Sequence, residues 1–209
     1  MNFLTPAISY LLANDEEWCK KMGFFNPYLD PFKNHLRGEL PIYDGEAYRM
    51  YPQYNYVYDK LWVAKSQKLK CGALEDIVAN PNSVDYPVFI KPRWGHLSAA
   101  SKNCFKISNP EELHRYSHFK HMMWSEFIDG REGMTDYVML NGRIMHYVSY
   151  IYSEDQNGFT DEWKYISPNT KAPLAITEWV ERNLNGYSGI VNVQYRDERI
   201  IEVGLRLAR

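Results

Sequence analysis

The sequence predicts an α+β fold, and three observations carry that reading. Residues 189–209 alternate in character: Val191, Val193 and Tyr195 with Asn192, Gln194 and Arg196, then Ile201, Val203, Leu205 and Leu207 with Glu202, Gly204 and Arg206. That is the period-2 pattern of a half-buried hairpin. A second hairpin is written at Asn141-Gly142, between residues 135–140 and 143–150, because this dipeptide accepts the positive φ angles of a two-residue hairpin turn. Residues 55–70 and 174–184 instead repeat their apolar positions at helical spacing. A chain of 209 residues suffices for one good-sized domain or for two small lobes sharing a cleft.

Taken in order, residues 1–54 are interrupted by Pro6, Pro27, Pro31, Pro41 and Pro52, so this segment supplies at most short helices. The helix predicted over residues 55–70 carries Val57, Leu61, Val63 and Ala64 on its apolar side, with Asp59, Lys60, Lys65 and Lys68 polar. A lone lysine such as Lys60 is ordinarily solvated. Residues 86–92 form a short apolar strand ending on Lys91, whose backbone Pro92 restricts. A loop containing Arg93, Trp94, Gly95, His96, Leu97 and Ser98 follows. Ser108 and Glu111 stand at capping-box spacing, predicting a helix start. Residues 122–129 read as a strand and turn into Gly130-Arg131-Glu132. Residues 153–170 are polar and turn-rich, the composition of a long loop. The helix over residues 174–184 is stopped near Asn185-Gly186.

The register of the final hairpin follows from its faces, since directly opposed residues share one side of a sheet. A two-residue turn would set Gln194 against Ile201. An odd, three-residue connection near Asp197, Glu198 and Arg199 instead pairs Val193 with Val203 and Gln194 with Glu202. Opposed Cβ atoms lie roughly 5 Å apart, so an amide oxygen and a carboxylate can both reach a hard, oxygen-seeking cation, with Arg206 further along the face. The same pattern also describes a hairpin whose polar face is merely solvated, and the residues themselves leave both open.

In order along the chain, these motifs resemble the ATP-grasp superfamily, in particular its carbamoyl phosphate synthetase and carboxylate-amine ligase type. The resemblance covers about residues 55–209 and implies two α/β lobes with mainly antiparallel sheets and a nucleotide cleft between them, residues 55–121 forming the first lobe and 122–209 the second. Residues 1–54 are then a remnant of a preceding region or a substrate-side segment. Asp59-Lys60 resembles the helix opening whose lysine reaches the nucleotide phosphates. Lys91 resembles the strand lysine that bridges the α- and β-phosphates. Gly95 and Ser98 fall in the loop that folds over the phosphates, which has one glycine fewer than the family pattern, and Arg93 or His96 adds charge there. Glu126, Phe127 and Ile128 fall at the hinge that meets the adenine edge. Glu132, or Asp136 on the next strand, takes a ribose hydroxyl. Asn192, Gln194, Glu202 and Arg206 match the metal-binding end, which implies Mg²⁺ on Gln194 and Glu202, with Lys91 and Arg206 as the catalytic cations. The family's Asn two residues after the Glu is Gly204 here, and its Pro is Leu205.

The implied reaction is activation of a carboxylate by ATP as an acyl phosphate, followed by attack of an amine or thiol, on a small-molecule or peptide carboxylate substrate. Such phosphoryl transfer needs positioning and charge neutralisation rather than a protein nucleophile. The alternative, favoured by Gly204 and the glycine-poor loop, is a non-catalytic ATP-grasp-like nucleotide-binding or structural module. Composition narrows the rest. A net charge of −2 without a basic run argues against a nucleic-acid partner. Cys19, Cys71 and Cys104 are odd in number and lack metal spacing, so they are expected as reduced thiols in a cytoplasmic protein. His114 and His118 are four apart without a carboxylate partner, so no zinc site is expected. No stretch has the length of a membrane span and the N-terminus lacks a signal-peptide pattern.

Overall fold

A computed structural model describes residues 40–41, 44–94, 103–152, 163–167 and 170–207. Two antiparallel sheets organise them. The first has four strands in the order β1-β4-β2-β3, with β1 at Cys71–Ala73, β2 at Val88–Pro92, β3 at Phe105–Ile107 and β4 at Met122–Glu126. The second has five strands in the order β7-β6-β5-β8-β9: β5 at Glu132–Leu140, β6 at Arg143–Tyr152, β7 at Trp163–Ser167, β8 at Gly189–Arg196 and β9 at Arg199–Gly204. Because β4 lies inside the first sheet, the chain crosses between lobes at residues 127–131 and not ahead of Met122. β7 lies within residues 153–170, read above as loop.

Helices α1 (Asp44–Met50), α2 (Lys60–Ser66), α3 (Leu74–Ala79), α4 (Pro110–His114) and α5 (Leu174–Asn183) pack around the sheets. The helix expected over residues 55–70 starts five residues late. A 3₁₀ turn at Pro52–Tyr58 comes first, and Asp59 ends it by capping α2, its Oδ1 accepting from the Leu61 amide at 3.0 Å. A side-chain oxygen satisfies one of the unpaired first-turn amides, and that fixes the helix start. At α4 the cap is Asn109, accepting from Glu112 N at 2.9 Å, one residue after the expected Ser108. Pro110, at the first helical position, sets that boundary.

One face of the second sheet makes the larger core. Tyr137, Met139, Val191, Val193, Tyr195, Ile200 and Val203 meet Ile176, Trp179 and Val180 of α5 and Val63 of α2, ringed by Tyr51, Tyr54, Tyr56 and Tyr58. Val88, Ile90 and Ile107 of the first sheet pack on Leu74, Ile77 and Leu113. Leu61 and Ala64 of α2 meet Met123 of β4, so this one helix packs against both lobes.

The Asn141-Gly142 turn joins β5 and β6 with φ of 50° and 79°, the left-handed pair that its sequence demands. A Cβ on Gly142 would lie 2.5 Å from the Gly186 nitrogen, so only glycine lets this tip dock on the α5–β8 connection. The β8–β9 register is the expected one, with Val193 opposite Val203 and Gln194 opposite Glu202. Its turn differs. Arg196 pairs with Arg199 across a two-residue turn, and a bulge between Gln194 and Tyr195 pairs Tyr195 with Ile200, leaving Ile201 as the extra residue. Such a bulge inserts one residue into one strand and restores the face parity that the turn would have broken.

Candidate functional site

The site begins at Asp59. Besides capping α2, its carboxylate takes a bidentate pair from Arg93, Nε donating to Oδ1 at 2.8 Å and Nη2 to Oδ2. Planar two-point pairs of this kind fix orientation as well as charge. Lys60 N also donates to Arg93 O at 3.0 Å, and Asp59 bridges Trp94. The start of α2 is thereby bound to the end of β2. Lys60 is buried, and its Nζ meets Glu202 Oε2 on β9 at 3.0 Å. It is no solvated surface lysine.

Lys91 arrives from the other side of this junction. On β2, Val88 and Ile90 face the α3–α4 core, so Phe89 and Lys91 face the opposite way, towards α2 and the second sheet. Lys91 Nζ donates to Ile201 O at 2.8 Å, the carbonyl of the bulged residue. Burial, and then the charge of Lys60, brings its ammonium down to about 8, with Glu202, Cys104 and Glu132 opposing the shift. Two cations from the first lobe therefore converge on the middle of β9, at Ile201 and Glu202. The Cys104 thiol, also near Lys60, Lys91 and Glu202, is pushed up by burial, which disfavours the thiolate.

The face of the second sheet turned away from α5 is polar. Register puts Glu132, Met134 and Asp136 of β5, Asn192, Gln194 and Arg196 of β8, and Glu202 and Gly204 of β9 on it together. Glu132 accepts from Arg196 Nη2 at 3.1 Å. Asp136 is buried, with Oδ1 accepting from Asn192 Nδ2 at 2.7 Å and Oδ2 from the Tyr150 hydroxyl at 3.0 Å. Arg206 binds Asp44 Oδ2 through Nη2 at 2.8 Å and Leu207 O through Nη1 at 2.7 Å; its buried Nε has no hydrogen-bond partner among the described residues.

The structure thus brings together Lys60, Lys91, Gln194 and Glu202, with Arg206 four residues further along the chain, just past the end of β9. Glu132 and Asp136 lie on the same face, each within its own polar pair. Glu126 ends β4 and turns its carboxylate to the Lys70 amide, Oε1 accepting at 2.9 Å. The first amide after it, Phe127 N, donates to Pro87 O at 3.2 Å. Phe127 and Ile128 are half-buried, with Phe89 6.4 Å from the Phe127 ring and Lys106 Nζ 4.0 Å above it. Gly95, Ser98 and His96 lie outside the described residues. A cavity of about 520 Å³ lined by Gly72, Asp76, Ile77, Trp124, Glu126 and Phe127 contains neither Lys60 nor Lys91, so the convergence of charge, not that cavity, marks the site.

Sequence reading missed Asp44 and Lys106, and gave Asp59 and Arg93 no partner. Asp59 could have been found as a capping residue directly before Lys60; nothing local marks Asp44 or Lys106. Among the described residues no helix is long and apolar enough to cross a membrane, and no three His, Cys, Asp or Glu side chains converge on a point.

No protein-family model matches the chain, and no curated protein sequence matches it either. Solved structures do match. Carboxyaminoimidazole ribonucleotide synthase from Aspergillus clavatus, complexed with ATP, is similar over 75% of this chain and 47% of its own, with TM-score 0.56 and 11% identity. N5-carboxyaminoimidazole synthetase from Staphylococcus aureus, complexed with ADP, is similar over 80% and 52%, with TM-score 0.56 and 13% identity. Phosphoribosylamine-glycine ligase from Thermotoga maritima is similar over 74% and 49%, with TM-score 0.53 and 16% identity. The chain has the ATP-grasp fold. It spans about half the length of these structures.

Proposed function

We propose that this chain binds ATP between its two sheets and activates a carboxylate as an acyl phosphate, which an amine or thiol then attacks. The observation that carries the reading is the convergence of Lys60 and Lys91 on the stretch of β9 holding Ile201 and Glu202, the latter 3.0 Å from Lys60. Two clustered ammonium groups, one with a lowered pKa because of its burial and its neighbour, form a site that a polyanion relieves. Support comes also from the fold, since two of the similar structures hold ATP or ADP and the third is a ligase by name.

The residues fit Mg²⁺. Gln194 and Glu202 are directly opposed oxygen donors, and this ion takes one or two carboxylates together with phosphate oxygens, so three converging protein acids are not required. When bound, it would supply charge neutralisation between phosphates. Lys91 and Lys60 hold the phosphate chain and oppose its charge. Phe89, Phe127 and Ile128 offer the apolar shelf for the base. Arg206, anchored by Asp44, stands where charge develops as a carboxylate oxygen attacks the γ-phosphorus and the bond to ADP breaks. The amine then bonds to the acyl carbon, phosphate leaves, and the amine's proton passes to solvent. Gly204 supports the second reading, a nucleotide-binding module without catalysis; formation of ADP dependent on an added carboxylate separates the two.

Thermal unfolding with ATP, with and without Mg²⁺, tests the site. At about 100-fold excess over Kd the midpoint should rise about 5–10 °C in the wild type, with Mg²⁺ required, and Lys91→Ala and Glu202→Ala should abolish the rise. A folded wild type that saturating Mg-ATP leaves unshifted overturns the reading.

A further inference from the structure

We propose that Asp44 supplies, from outside the hairpin, the oxygen that Gly204 lacks, acting with Gln194 and Glu202 towards the Mg²⁺ of the nucleotide. The inference rests on the reading of the cleft as a Mg-nucleotide site. Gly204 lies opposite Asn192, two residues beyond Glu202 and on the same face. Its backbone is outside the left-handed region, so conformation does not call for glycine, and a Cβ there would meet its nearest neighbour at an ordinary contact distance. That neighbour, 3.4 Å away, is Asp44 Oδ1.

The carboxylate therefore borders the space that a longer side chain at position 204 would fill. Its other oxygen, Oδ2, is tied to Arg206 Nη2 at 2.8 Å, which turns Oδ1 towards Gly204. Asp44 is firmly placed although it opens a short helix. Ala47 of α1 is fully buried, Tyr48 O accepts from Asn55 Nδ2 at 2.9 Å, and the Tyr48 ring lies 5.7 Å from that of Tyr58. Tyr58 in turn accepts from the Leu205 amide at 3.1 Å, which binds this corner to the end of β9. The Asp44 side chain remains 50% exposed, so one oxygen can be shared with a bound ion. A carboxylate in place of a neutral amide also suits a hard cation, for which oxygen ligands of full charge bind best.

The experiment is a titration of the full chain with Mn²⁺, followed by electron paramagnetic resonance at saturating ADP, on the wild type, Asp44→Ala, Arg206→Ala and the double variant Asp44→Ala/Gly204→Asn. Asp44→Ala should weaken Mn²⁺ at least about tenfold, the scale on which ligand-supporting groups act, while metal-free ADP affinity changes far less. The double variant should recover most of the loss. Where Asp44→Ala does not fold, Asp44→Asn serves, with an intermediate loss expected because one neutral oxygen stays. Unchanged Mn²⁺ affinity in a folded Asp44 variant overturns the role of Asp44 and leaves the nucleotide site standing. So does an equal loss in Arg206→Ala with no recovery in the double variant, because Asp44 then acts only by holding Arg206. A wild type that binds ADP without any effect of Mn²⁺, or not at all, overturns the Mg-nucleotide reading and this inference with it.

Discussion

At the scale of single residues, Lys91 is the group whose chemistry its position changes most. Its ammonium is buried near that of Lys60, and its pKa falls to about 8, first through burial and then through that neighbour. The sign of the consequence is fixed. The folded chain holds this proton less tightly than the unfolded chain, whose lysine titrates at its ordinary value of about 10.4, so stability must rise with pH between those two values. We expect wild-type stability in nucleotide-free, chelator-treated buffer to gain on Lys91→Met from about pH 8 upwards, as urea unfolding of both proteins would register. A constant difference across that range would refute the shift. ATP affinity should move the other way and fall above about pH 8 as the cation is lost. Lys91 was legible as a lysine presented at a defined spot through Pro92 and the apolar strand before it. Its partner Ile201 O was not, because a bulge carbonyl has no signature in side-chain pattern.

At the scale of elements, α2 is set by Asp59, which both caps the helix and clamps Arg93 at the end of β2. Asp59→Ala should cost about 2 kcal/mol, combining a lost cap with the loss of a charged hydrogen-bond pair discounted for the partly exposed guanidinium. Equilibrium denaturation should show that cost, and the ATP-induced rise in melting midpoint should shrink because Lys60 loses its anchor. A change within about 0.5 kcal/mol of zero would mean that water replaces both contacts. The final hairpin shows how pattern can give register and still miss the turn. Alternation of Val193, Gln194, Glu202 and Val203 determines which residues oppose, yet an odd loop and a two-residue turn with a bulge satisfy it equally. The choice fell to backbone geometry at Asp197, whose φ is 47°.

At the scale of the molecule, the lobes are joined through α2. Its C-terminal Gln67 pairs with the backbone of Ile200 as a strand would, Nε2 donating to Ile200 O at 3.0 Å and Oε1 accepting from Ile200 N at 2.7 Å. β9 is an edge strand, and an unpaired edge needs covering; here the first lobe covers it with Gln67 and Lys91. Gln67→Ala leaves both backbone groups of the buried Ile200 without that partner and should cost about 1–3 kcal/mol. The Ile200 amide should then exchange its hydrogen much faster while the amides of β5 keep their protection. Equal acceleration in β5 would show that the mutation unfolds the lobe instead of opening the joint.

The sequence by itself determined β2, β4, the two hairpins, the main helices and the final register, because those follow from the two periods of hydrophobic burial and from local turn and cap chemistry; β7, in a polar segment, carried no such period. The resemblance of those motifs to the ATP-grasp superfamily implied the fold before any contact was known. Only the tertiary structure decided that Lys60 is buried against Glu202, that Asp136 is held by Asn192 and Tyr150, and that Asp44 stands beside Gly204. Those are contacts across 142, 56 and 160 positions of chain, by the residue numbers themselves. No local pattern encodes such pairs: pairing of β5 with β8 sets Asp136 opposite Asn192, while packing of α2 and α1 against β9 brings Lys60 to Glu202 and Asp44 to Gly204, and a buried charge such as Lys60 must find a partner.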